Sequence, residues 1–81
     1  MPDERVLNEI SRLVGQEHHL YKRAEEEGGL SEEEQRELRE LSVHLDQCWD
    51  LLRQRRALRE FGRNPDDAEV RSPGTVEGYT P

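Results

Sequence analysis

Leu38, Leu41, Leu45, Cys48 and Leu52 follow one another at spacings of three and four, which draws a single stripe along a helix packed against a second helix. Trp49 falls on one flank of that stripe, with His44, Leu51 and Leu58 on the other. At 100° per residue roughly half the circumference is then apolar or nearly so. One neighbouring helix does not cover so wide an arc. The chain does supply one neighbour: Val6, Ile10, Leu13, Glu17, Leu20 and Ala24 repeat at four and three, and Leu7, Val14 and Tyr21 widen that stripe along a single flank.

The punctuation between these stripes predicts an all-α chain built on an antiparallel αα-hairpin. Helix one is expected over about 3–27, with Asp3 as its N-cap and Glu4 favourable to the helix dipole, and it closes at Gly28-Gly29. Ser31 and Glu34 have the spacing of a capping box, so helix two starts there and runs to about residue 61, with Gly62 as the C′ residue. The connection is too short for anything but antiparallel neighbours. A turn near residue 30 gives facing residues whose numbers sum to about 61, which sets His44 opposite Glu17 and Cys48 opposite Leu13. Residues 1–62 thus form the hairpin and 63–81 an appendage. Asn64-Pro65-Asp66-Asp67 suits one short helical turn, Ser72-Pro73-Gly74-Thr75 fits a type II turn, and Val76 and Tyr79 are spaced to lie as an arm along a groove.

Composition sharpens the problem of the uncovered arc. Only 31% of the 81 residues are hydrophobic and 38% are charged, so the chain has little material for a globular core of its own. Self-association into a dimeric four-helix bundle is therefore expected, through Leu7, Val14, Tyr21, Trp49, Leu51 and Leu58. Arg55 and Arg59, which also point into the apolar arc, are expected to reach an acid on the second chain. The net charge of −7 argues against general binding to nucleic acid or an anionic membrane. The charge is uneven: residues 1–50 carry −8, residues 51–63 carry +4 and residues 64–81 carry −3. An antiparallel hairpin also sets the basic end of helix two against the acidic start of helix one, with Asp3, Glu4 and Glu9 within range of Arg53, Arg55, Arg56 or Arg59, so self-complementary pairing within the molecule is the competing expectation for these arginines. One cysteine excludes an internal disulfide, and the lack of a long apolar run makes the cytoplasm the expected location.

Candidate chemistry is sparse. Glu17, His18, His44 and Cys48 come within about two turns of one another in the hairpin, and His44 and Cys48 at i, i+4 can reach one ion. A metal- or small-ligand-binding bundle is the alternative reading, against a plain core in which Glu17 accepts a hydrogen bond from His44 or from an arginine of a second chain and Cys48 is a small core residue. The chain contains no phosphate-cradling glycine loop, nucleophile elbow or other catalytic motif, so neither an enzyme nor a cofactor is expected. The run LDQCWDLLRQRRALREFG, followed by NPDDAEVR and VEGYTP, with EHHL on helix one, resembles a family of short actinobacterial proteins called domain of unknown function 2630. The resemblance spans nearly the whole chain and implies a small bacterial cytosolic protein without implying any chemistry. From the residues, the expected role is a self-associating protein–protein interaction module.

Overall fold

The computed structural model describes residues 2–77. Two long helices, α1 (Asp3–Glu27) and α2 (Glu32–Glu60), form the antiparallel hairpin; a 3-10 turn (Pro65–Asp67) and a short helix α3 (Pro73–Glu77) follow. There is no strand among the described residues. The core is the seam between α1 and α2. Val6, Ile10, Leu13 and Leu20 from α1 meet Leu41, Leu45, Cys48 and Leu51 from α2, with Leu30, Leu38, Leu52 and Ala68 packed around them.

The helix ends follow local chemistry. Gly28 takes the left-handed conformation (φ 80°), which a side chain would strain, and its N–H donates to the Ala24 carbonyl. At the start of α2 the capping box is complete: the Glu34 N–H donates to Ser31 Oγ at 3.1 Å, and the Ser31 N–H donates to Glu34 Oε1 at 3.0 Å. α2 closes in a Schellman motif, with Gly62 at φ 71°, its N–H on the Arg59 carbonyl and the Arg63 N–H on the Leu58 carbonyl.

Two local expectations are corrected. Asp3 is not a cap: Pro2 occupies the cap position without a side-chain bond, because the Asp3 carboxylate is drawn across the hairpin to Arg55 and Arg59. Ser72-Pro73-Gly74-Thr75 is not a type II turn, since Gly74 is not at positive φ. Ser72 instead starts α3. Its Oγ accepts from the Thr75 N–H and its carbonyl from the Val76 N–H, with Pro73 in the first-turn position that proline favours. The expected turn at Asn64 is present, Asn64 Oδ1 accepting from the Asp66 N–H. Val76 is buried, as an arm requires; Tyr79 lies outside the described residues.

Candidate interaction surface

The C-terminal segment covers one side of α2. Gln47, Asp50 and Gln54 recur at three and four along α2, away from the seam. This polar row clamps the segment. Gln54 Nε2 donates to the Glu69 carbonyl at 2.8 Å and to Asp50 Oδ2 at 2.9 Å, while its Oε1 accepts from the Glu69 N–H at 3.4 Å. Gln47 donates to the Arg71 carbonyl at 3.0 Å. Arg71 places Nε and Nη2 on the two Asp50 oxygens, a bidentate pair. Asp50 is only 2% exposed. The Arg71 hydrogen bonds hold its carboxyl below the usual aspartate range, against the opposing effect of burial, and Gln54 adds to the lowering.

Sequence reasoning missed this clamp, and the helix neighbour Arg53 approaches Asp50 only to 4.0 Å. The available signal was the amide-acid-amide row itself. An acid in mid-helix, flanked at three and four by glutamines, is a buried polar stripe in search of a backbone.

The clamp changes the fate of one expected interface flank. Leu51 is 5% exposed and belongs to the hairpin core, against which Ala68 packs. Leu58 is half-buried and borders a recess with Phe61 and Ala68. Both were expected at an interface with another chain, but the C-terminal segment folds back onto their side of α2. Arg55 and Arg59 are corrected likewise. Arg55, 5% exposed, donates to Asp3, to Asp66 at 2.9 Å and to the Pro65 carbonyl at 3.2 Å, and Arg59 reaches Asp3 at 2.9 Å. Their acids lie in the same chain. Arg56 pairs with Glu60 at 3.0 Å, so much of the basic cluster is neutralised internally, as the charge distribution predicts. Hydrogen bonds from Arg59 and Arg55 hold Asp3 below the usual carboxylate range, and those from Arg55 do the same for Asp66.

Glu17, His18, His44 and Cys48 are not gathered into a site. His44 Nε2 lies 3.9 Å from Glu9, not Glu17. The pairs Asp3–Arg55 and Arg23–Glu34 fix a register in which His44 is level with about residue 13, one turn from both acids. Glu9 shares the flank of His44, whereas Glu17 stands near the seam. His18 is exposed, and Cys48 is a buried thiol whose pKa is raised by desolvation and, secondarily, by Glu9. Among the described residues, no three His, Cys, Asp or Glu side chains are grouped to hold a metal ion.

Besides Phe61 and Val70, which are 80 and 62% exposed, the opposite flank remains uncovered. Leu7, Val14, Tyr21 and Trp49 are 47, 48, 53 and 46% exposed. Glu9–His44 crosses the seam on one side of the hairpin. At 100° per residue, Leu7, Val14 and Tyr21 are displaced the other way on α1, and in an antiparallel partner Trp49 is displaced to that same side on α2. The four form a single apolar face that no part of residues 2–77 covers. Its α1 row steps by seven residues, the interval of helix–helix seams.

The profile of DUF2630, described as a protein of unknown function, matches residues 2–81. The chain belongs to the DUF2630 family. Among similar members are the uncharacterised proteins Mb0922c of Mycobacterium bovis and Rv0898c of Mycobacterium tuberculosis. Each is 54% identical over 80 residues, covering 96% of this chain and 90% of the relative. No solved structure matches this DUF2630 chain. None of its described helices is long and apolar enough to cross a membrane.

Proposed function

We propose that this DUF2630 protein is a protein–protein interaction module that associates with a second copy of itself through the Leu7, Val14, Tyr21 and Trp49 face, forming a four-helix bundle. The observation that carries the reading is the half-exposure of four large apolar side chains on one side of the hairpin, while the other side is clamped. Full burial of such side chains is worth about 1.5–3 kcal/mol each. Since each is already half-covered, a symmetrical dimer gains on the order of 1 kcal/mol from each of eight, or about 8 kcal/mol gross. Association costs of about 4–15 kcal/mol oppose this, so the assembly responds to concentration and is not obligate.

Trp49→Ala tests the reading. At about 1 kcal/mol for each tryptophan the dimer loses about 2 kcal/mol, so the dissociation constant rises about 30-fold. Because Trp49 is half-exposed in the single chain, the variant keeps its helical content. Sedimentation velocity across a concentration series, with circular dichroism as the control for folding, reads both. A variant that dimerises like the parent removes Trp49 from the interface, and a parent that is monomeric at every concentration removes the proposed function.

A further inference from the structure

From the register within the hairpin we infer that the two copies pack head to tail, about a two-fold axis perpendicular to the helices that passes between the two Val14 and the two Ser42 side chains. This rests on the self-association proposed above and adds its geometry.

The two rows on the open face share one centre. On α1 the row is Leu7, Val14 and Tyr21; on α2 the same interval of seven from Trp49 gives Ser42 and Gln35. The cross-pairs Asp3–Arg55, Asp3–Arg59, Arg23–Glu34 and Glu9–His44 have residue numbers summing to 58, 62, 57 and 53, which centre on roughly 57–58. That sets Ser42 level with about residue 15 or 16, one to two residues from Val14. A perpendicular two-fold at that level stacks α1 on α1 and α2 on α2 of the partner, both antiparallel. Val14 and Ser42 then meet their own copies, Leu7 lies over the partner's Tyr21 position, and Trp49 lies over the partner's Gln35 position. Each end layer contains one Leu, one Trp, one Tyr and one Gln, and the middle layer contains two Val and two Ser. The opposite arrangement, with the axis along the helices, crowds two Trp and two Leu into one layer and leaves two Tyr and two Gln in another. Bundle layers pack to near-uniform density, so the even distribution is favoured.

Charge selects the same arrangement. Residues 25–34, around the hairpin turn, contain six glutamates and no basic residue. Parallel packing places two such turns side by side. Head-to-tail packing separates them by most of the 51 Å length of the molecule, several times the screening length of about 8 Å at physiological salt. It also brings each acidic turn toward the partner's exposed Arg53, which lies on the Trp49 side of α2 and approaches Asp50 only to 4.0 Å, and toward Arg56 beside it, whose charge is shared with Glu60. The choice of a second copy as occupant follows from this complementarity: a face with a run of glutamates at one end, exposed arginine at the other and apolar side chains between them matches itself after a half-turn.

Cysteine cross-linking in a Cys48→Ala background tests the orientation, after sedimentation has established that each variant still forms a dimer. Val14→Cys and Ser42→Cys each form a disulfide-linked homodimer on mild oxidation; Leu7→Cys alone does not, but cross-links to Tyr21→Cys when the two proteins are mixed. All three positions examined alone are exposed in the single chain, so folding is preserved, and circular dichroism verifies it. Efficient linkage of Leu7→Cys to Trp49→Cys on mixing, with neither Val14→Cys nor Ser42→Cys linking to itself, overturns the head-to-tail geometry and leaves self-association standing. A monomeric Cys48→Ala parent overturns both.

Discussion

Arg71→Ala isolates the clamp that fastens the C-terminal segment to α2. The substitution leaves Asp50, 2% exposed, with the Gln54 amide and no guanidinium within hydrogen-bonding distance. Removing one partner of a fully buried ion pair costs about 3–5 kcal/mol. Here the Arg71 side chain is 35% exposed, so solvent already screens part of the interaction, and the freed segment can lift to let water reach Asp50. Both effects reduce the loss to about 2–3 kcal/mol. At 0.05–0.15 kcal/mol per residue the whole chain has about 4–12 kcal/mol of stability, so the variant is expected to melt about 10–20 °C lower. The assay is urea unfolding followed by circular dichroism at dilutions where the parent is monomeric, repeated from pH 7 to pH 3. The sign of the pH effect follows from the direction of the shift. Asp50 has a folded pKa below its unfolded value, so its contribution is complete above the unfolded value of about 3.9 and disappears as pH falls through the folded one. Arg71→Ala therefore flattens part of the acid limb, leaving the parts due to Asp3, Asp66, Glu9 and Glu34, whose carboxyls are also lowered. A loss below about 0.5 kcal/mol, or an acid limb identical to the parent's, would refute the reasoning.

Two further substitutions separate the core from the ends. Leu51→Ala is expected to cost about 2–5 kcal/mol in urea unfolding of the monomer, because Leu51 is buried in the hairpin core; a change confined to the dimer dissociation constant would return Leu51 to the interface. Ser31→Ala removes the hydroxyl of the capping box and is expected to cost about 1 kcal/mol, with Ser31→Thr restoring most of it; equal melting temperatures for Ala and parent would show that the cap is not needed.

The hairpin was legible in the sequence because its causes are local. The three-and-four spacing of Leu38 to Leu52, the Ser31–Glu34 box and the glycines at 28 and 62 each act within a turn or two of chain, and the helix ends fall where those signals put them. Asn64 and Pro65 likewise determined their short turn. The partners of side chains that leave their own helix were decided only by tertiary structure. Whether Asp3 caps α1 or reaches Arg55, whether His44 meets Glu9 or Glu17, and whether Leu51 faces another chain depend on the register of two helices and on the path of residues 63–77. Side-chain pattern tells which face of a helix is apolar; it does not tell which segment arrives to cover it. The Gln47, Asp50 and Gln54 row settled that for one flank by hydrogen-bonding a passing backbone, an interaction that depends on main-chain atoms common to every residue and so leaves no imprint on the sequence of the segment it captures, except Arg71.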